Sequence, residues 1–300
     1  MTPALREALE GAVMEATRAD WSLLASAPVA GGCIHECLKL EGEDAEGKTT
    51  HFAKIAEAER APLLVAEAEG LAAIAKVGAV RTPKVLAQGG NEEHGWLILE
   101  WLDLVPLDAT SGAALGKALA AQHRAAFPRF GWEKDNFIGA TVQKNGWHDD
   151  WLAFWREHRL HAQLRLAAKN RYPSKMIDRG ERLLADCEAF FTSHAPGPSL
   201  LHGDLWGGNA AALADGTPVV FDPAVYCGDR EADVAMTQLF GGYPKDFLAA
   251  YREAWPLDDG YPVRRDFYNL YHVLNHANLF SGDYVDQSAR AIEKVLAEIR

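Results

Sequence analysis

The sequence predicts an α+β protein of two lobes: a small N-terminal lobe of antiparallel sheet with one key helix, and a larger, mostly helical C-terminal lobe. Three observations predict it. The first hundred residues carry short β-patterned runs, separated by glycine-containing or polar joints, around a single long helical stretch from Pro62 to Val77. From Ser111 onward, apolar residues recur mostly at helical spacing. Between these regions an apolar strand ending Leu97-Ile98-Leu99-Glu100-Trp101-Leu102 runs straight into Asp103, Pro106 and Asp108, which divides the chain into 1–102 and 103–300. At 300 residues and 48% hydrophobic content, the chain is long enough to bury a core in each part.

The elements follow in order. An apolar-periodic helix spans about residues 4 to 17, and Trp21 to Ala30, Ile34 to Leu40 and Thr49 to Ala56 read as strands. Gly31-Gly32 joins the first two, and the polar run Glu41 to Lys48 joins the next two. The glycine joint has two readings: an ordinary hairpin, or a place where backbone N–H groups approach phosphate with no Cβ in the way. The third strand carries Lys54 among Phe52, Ala53, Ile55 and Ala56, so the lysine either snorkels to solvent or meets a partner charge. In the following helix Glu67 lies four residues before Leu71 and seven before Ile74, in register with the apolar stripe, whereas Glu69 leans to the flank. A carboxylate on a buried face needs a cation, and Lys54 is the one at hand; the alternative is an exposed Glu67.

Strands at Lys84 to Ala87 and Gly95 to Trp101 complete the first lobe. The second contains helices at Ser111 to Phe127, Trp147 to Leu166 and Ser174 to Phe191, with a loop from Phe130 to Gly139 before the second of these. Helices near 231–240, 244–254, 262–280 and 285–299 close the chain. Trp151, Phe154, Trp155 and His158 share one face of their helix, a stripe that reads as core before it reads as a substrate wall.

The chemistry centres on Leu200 to Asn209, Leu-Leu-His-Gly-Asp-Leu-Trp-Gly-Gly-Asn, and on the run Pro218-Val219-Val220-Phe221 that ends in Asp222. An aspartate two residues after His202, an asparagine five further on and a second aspartate closing a short strand reproduce the spacing of a kinase catalytic centre. Phosphoryl transfer asks for one carboxylate to take or orient the acceptor hydroxyl proton and for hard oxygen ligands to hold Mg²⁺ against the phosphates. Asp204 suits the first task and Asn209 and Asp222 the second, with His202 bracing the loop. Lys54, held by Glu67, would grip ATP, Gly31, Gly32 and Cys33 would face its phosphates, and the extended hinge of Glu100 and Leu102 would offer backbone groups to adenine. The competing reading, a polar turn capped by His202, explains a single such residue but not four at the template spacing.

Composition excludes other classes. A net charge of −12 argues against a nucleic-acid surface, which needs clustered Lys and Arg. No apolar run approaches the roughly 18 residues needed to span a bilayer. The first residues lack the basic head and apolar core of a signal peptide, so a cytoplasmic protein is expected. The cysteines at 33, 37, 187 and 227 do not make a secreted disulfide framework, and Cys33-x-His35-x-Cys37 lacks a second pair to complete a zinc site. Cys33, beside Gly31-Gly32, is either a thiol activated by an electropositive loop or a buried, inert one. Arg230 has a phosphate contact or a helix-start salt bridge as its two uses.

Several blocks together resemble the fructosamine and ketosamine 3-kinase family over nearly the whole chain. They include Phe52-x-Lys54, Glu67-x-x-x-Leu71, Trp147-x-Asp149-Asp150-Trp151, Leu201-His202-Gly203-Asp204-Leu205-Trp206-x-Gly208-Asn209, Asp222-Pro223-Ala224, Phe240-Gly241-Gly242-x-Pro244 and Asn275-His276. The resemblance implies a protein-kinase-like two-lobe fold of the aminoglycoside-phosphotransferase type, with ATP and Mg²⁺. It implies phosphorylation of the 3-hydroxyl of a ketosamine, either a small molecule or a glycated protein amine, as a deglycation repair step by a monomer or homodimer. Trp206 would stack on the sugar or else serve in packing, Asp149 would meet the cationic amine unless the Asp149-Asp150 pair only starts a helix, and His276 would contact substrate. Two residues depart from the family pattern: Gly207 stands where Ser is frequent, and Cys37 where Gly is frequent, which stiffens the phosphate loop. The same phosphoryl-transfer parts also serve choline, aminoglycoside and homoserine kinases, and Trp147, Trp151 and Trp155 could cage a choline. An inactive kinase-like binding module is the other rival, opposed by the joint presence of Lys54, Asp204, Asn209 and Asp222.

Overall fold

The structure, a computed structural model, describes residues 1–30 and 34–299. The N-terminal lobe contains α1 (Pro3–Thr17), five antiparallel strands β1 (Ser22–Pro28), β2 (Glu36–Asp44), β3 (Gly47–Glu57), β4 (Val85–Gly90) and β5 (His94–Glu100), and α2 (Ala61–Val77). The sheet order is β1-β2-β3-β5-β4. Strand alternation assigns its two faces: Ala53 and Ile55 of β3 pack with Leu5, Leu9 and Val13 of α1, which recur every fourth residue, while Ala56 packs with Leu64 and Leu71 of α2. Lys54 therefore shares the α2 face. Each fully buried leucine contributes about 1.5–3 kcal/mol to this sandwich.

The polar joint read between residues 41 and 48 is instead mostly strand. β2 and β3 pair as far as Asp44 opposite Gly47, and the Asp44 side chain closes the turn by accepting the Glu46 and Gly47 N–H groups. Its exposed charges solvate a protruding hairpin. Cys37, read as part of the phosphate loop, lies on β2 opposite Lys54.

Beyond β5 the chain crosses to α3 (Ala109–His123), whose start is fixed by the reciprocal Asp108–Ser111 capping box. The region read as a loop forms four short strands, β6 (Phe130–Trp132), β7 (Asn136–Ile138), β8 (Thr141–Gln143) and β9 (Gly146–His148). Three residues are too few to display an alternating pattern. Trp147 thus belongs to β9, and the helix begins later, at α4 (Trp151–Trp155), where Asp150 caps it by accepting from the Ala153 N–H. A π-helical segment, Arg156–His161, links α4 to α5 (Ala162–Lys169). α6 (Ser174–Asp186) is followed by β10 (Ser199–Leu201), β11 (Ala210–Ala212), β12 (Pro218–Val220) and β13 (Tyr226–Gly228). α7 (Arg230–Met236), α8 (Lys245–Ala254), α9 (Tyr261–Phe280) and α10 (Asp283–Ala297) complete the lobe.

Its core is aromatic. Trp151 and Trp155 pack on Tyr268, and the Trp151 indole N–H donates to the Tyr268 hydroxyl at 2.9 Å. With both rings buried, the choline cage imagined from Trp147, Trp151 and Trp155 does not form. Arg230 pairs with no carboxylate among the described residues, so the helix-start salt bridge does not form. Its guanidinium donates to the Trp255 and Pro256 carbonyls and lies 4.1 Å from the Trp255 ring centre. Among the described residues, no helix is long and apolar enough to cross a membrane.

Candidate active site

A cavity of about 470 Å³ lies where the two lobes meet, lined by Lys54 and Glu67 from one and by Asp204, Asn209 and Asp222 from the other. On the N-terminal side, the Lys54 ammonium is 2.7 Å from a Glu67 carboxylate oxygen and 2.5 Å from Asp222 Oδ1. Burial opposes its charge, but Glu67 and Asp222 outweigh that and push its pKa up. Burial also pushes the Glu67 carboxyl up, against the pull of Lys54. The ammonium, with two carboxylates to itself, is the firmer charge of the pair.

The residues of the loop from Asp204 to Asn209 are held by backbone geometry. Asn209 ends the loop at β11, and β11 pairs with β12 so that Ala210 opposes Val220. The Phe221 N–H donates to the Asn209 carbonyl at 3.1 Å, which brings Asp222, just past β12, beside Asn209. Asp222 has a φ of 57°, a left-handed backbone that aspartate tolerates better than most residues. Gly203 is also left-handed, at 83°, and a Cβ there would sit 2.0 Å from the Ala224 carbonyl oxygen, so only glycine lets the loop lie on the segment after Asp222.

His202 is buried and does brace the loop. Its Nε2–H donates to the Phe221 carbonyl at 3.0 Å, and its Nδ1 accepts the Asp204 N–H at 3.3 Å. These partners require a neutral ring, in agreement with a pKa lowered by burial. The Asn209 amide donates to the Asp204 carbonyl at 2.8 Å and to its Oδ2 at 3.3 Å, steadying the carboxylate. Burial first, and the negative charge of Asp222 second, push the Asp204 carboxyl up to about 7.

This donor set fits magnesium. The Asn209 amide nitrogen is spent on Asp204, which leaves its side-chain oxygen for a cation, and the Asp222 carboxylate is partly open to the cleft. Hard oxygens with a surplus of negative charge between Asp204 and Asp222 are what Mg²⁺ takes.

Asp233 was missed in the sequence, although it anchors the loop. It is buried at the start of α7, and its two carboxylate oxygens accept the backbone N–H groups of His202 at 2.6 Å and Gly203 at 2.9 Å, with His123 at 3.2 Å. Burial opposes its charge, yet those bonds hold its pKa below the usual carboxylate range. The nearest available signal was the acid-rich start Asp229-Arg230-Glu231-x-Asp233, which reads equally well as dipole compensation.

Other residues singled out in the sequence fall at varied distances from the cleft. Trp206 and His276 line it, and Trp206 is 40% exposed. Asp149 does not. Its side chain is 85% exposed and paired with Arg129, because the β9 strand carries it outward. Glu100 does not line this cavity either; it spends its carboxylate on Arg81 and the Lys84 N–H and its own N–H on the Lys84 carbonyl, and Leu102 follows it half-buried. Gly31, Gly32 and Cys33, the proposed phosphate-facing joint, lie outside the described residues. Cys37 lines the cavity, with burial pushing its thiol pKa up.

An antiparallel sheet lobe over a helical lobe, with a lysine–glutamate pair above an Asp-Asn-Asp loop, defines a protein-kinase-like fold. A choline kinase of Streptococcus pneumoniae superposes with a TM-score of 0.55 at 14% identity, covering 98% of this chain and 99% of that one, and so agrees in fold. The chain belongs to the fructosamine kinase family, whose model matches residues 6–298. It is 38% identical to a probable ketoamine kinase of Synechocystis over 98% of both chains. The crystal structure of a candidate fructosamine-3-kinase from Haemophilus somnus superposes with a TM-score of 0.86 at 29% identity, covering 96% of each chain.

Proposed function

We propose that the protein is an ATP-dependent kinase that phosphorylates the 3-hydroxyl of ketosamines such as fructosamines and ribulosamines, free or protein-bound, in a deglycation step. The observation that carries this reading is the convergence of Lys54, Asp204, Asn209 and Asp222 on one cleft, in a chain of the fructosamine kinase family. The lobe boundary falls between 102 and 103, with backbone groups around Glu100 and Leu102 meeting adenine.

Asp204 takes or orients the proton of the acceptor hydroxyl. Its raised pKa makes it a better base than an ordinary carboxylate, and the Asn209 amide limits its rotation. Lys54 lies where its charge can offset that of the nucleotide phosphates, and Glu67 keeps it there when Asp222 turns to another partner. Asn209 and Asp222 would hold Mg²⁺, which when bound supplies charge neutralisation at the phosphates. Trp206 offers an exposed ring for the sugar.

ADP release measured across ribulosamines, fructosamines, choline and an aminoglycoside tests the substrate. A ketosamine should show the highest kcat/KM. Choline or an aminoglycoside ahead by about tenfold or more, a margin of about 1.4 kcal/mol, would overturn the ketosamine reading and leave the kinase. For the metal, Asp222→Ala should weaken Mg²⁺-dependent nucleotide binding at least about tenfold, since even outer-shell partners of a metal site are worth that much. Calorimetric titration with and without Mg²⁺ checks it, and unchanged metal dependence would remove Asp222 from the ligand set.

A further inference from the structure

The cleft has a second wall made of rings. His276, on α9, lies between Phe240 at 4.8 Å, Tyr284 at 5.2 Å and Phe280 at 5.7 Å, measured between ring centroids. All four side chains line the cavity. Two of them are open to solvent, Phe280 at 53% and Phe240 at 39% exposed. The chain is bent to assemble them: Ser281 and Gly282 take φ of 58° and 62°, so α10 starts directly after α9 and returns Tyr284 to His276.

His276 is the polar centre of this wall. Its Nδ1–H donates to the His272 carbonyl one turn back at 2.8 Å, which fixes the tautomer and leaves Nε2 as an acceptor. Burial lowers its pKa, only partly offset by that bond, so the ring is neutral near pH 7. A neutral acceptor set among three aromatic rings attracts a cation that carries an N–H.

A ketosamine, the substrate class proposed above, supplies such a cation, and the assignment of this wall rests on that reading. A ketosamine's nitrogen is a secondary amine, protonated near neutral pH, and three carbons separate it from the 3-hydroxyl oxygen. Covalent geometry therefore keeps it within about 5 Å of the oxygen at Asp204. The carboxylates lining the cavity among the described residues are Glu67, Asp204 and Asp222. Lys54 engages the first and last, and the acceptor hydroxyl engages Asp204. Asp149, the acid the sequence offered for the amine, is on the outer surface.

We propose that Phe240, His276, Phe280 and Tyr284 form the amine subsite of the cleft, where the ring faces and His276 Nε2 receive the protonated secondary ammonium of the ketosamine. The subsite favours a charged amine over a neutral linkage. It also favours a secondary ammonium over a quaternary one, which has no N–H for Nε2.

The test compares two substrates, fructose bearing a simple alkylamine at C1 and the matched C1 ether, on wild type, Phe280→Leu and the Phe240→Leu/Phe280→Leu double variant. Both phenylalanines are exposed, so leucine retains the fold. The double variant should raise KM for the amine about tenfold with kcat within about twofold, and leave the ether nearly unchanged, because leucine keeps the apolar contact and loses only the ring. Equal losses on amine and ether, or no loss on either, would overturn the subsite while the ketosamine reading stands. A wild-type enzyme that phosphorylates neither sugar but accepts another alcohol would overturn the ketosamine reading and the subsite with it.

Discussion

Asp204→Asn should lower kcat by about 10² to 10⁴-fold, the range typical of a lost general base, while nucleotide affinity stays within about twofold of wild type. The substitution is nearly isosteric and keeps an oxygen for the Asn209 amide, so the loop geometry that places it survives. The pH profile separates a proton-transfer role from a merely steric one. Burial and Asp222 raise the Asp204 pKa to about 7, and the working form of a base is the ionised one. Wild-type kcat/KM should therefore be high above that pKa and fall as pH drops through it, whereas the Asn variant should show no such limb. Retention of near wild-type turnover by Asp204→Asn would remove it from the centre of the site.

Asp233→Ala should be the most damaging single change to the fold around the site, at about 3–5 kcal/mol. Alanine leaves the His202 and Gly203 N–H groups and His123 without their acceptor in a buried setting where water cannot replace it. The resulting shift of the catalytic loop should also lower kcat about 10²-fold, as displacements near 1 Å do. Urea unfolding and turnover measure the two effects. Asp233→Asn, which keeps one acceptor oxygen, should fall between wild type and alanine in both. If alanine cost less than about 1 kcal/mol, the loop would have to be anchored by other contacts.

How much of this was legible depended on how far apart the cooperating groups lie in the chain. His202, Asp204 and Asn209 are local, and Asp222 follows at the end of one hairpin, so their spacing records their geometry directly. The Lys54–Glu67 pair was legible because two periods intersect: strand alternation puts Lys54 on the α2 face, and helical register puts Glu67 on the stripe that meets it. Asp233 was not legible, since what it binds is backbone N–H, which every residue carries and no pattern marks. The strands β6 to β9 were missed because their three-residue lengths hold no period. The ring wall was hidden for another reason. Phe280 and Tyr284 follow helical spacing, and only the reversal at Ser281-Gly282 turns them from core into cleft. Asp149 erred in the opposite direction, a suggestive acid that a short strand points at Arg129.

The close approach of Gly207 to the Phe240-Gly241-Gly242 segment bears on how this chain could be re-engineered. A Cβ at 207 would stand 2.7 Å from the Gly241 carbonyl oxygen and 2.9 Å from the Gly242 Cα, both main-chain atoms that cannot rotate aside. A serine at this position would therefore push apart the loop bearing Trp206 and the one bearing Phe240, both of which line the cleft. Replacing an unusual residue by its family consensus is normally a safe way to gain stability. Here Gly207 lies directly against main chain, so serine would be acceptable only together with a compensating change in the Gly241-Gly242 backbone. A design that changes position 207 alone, leaving the 241–242 backbone as it is, would open this contact.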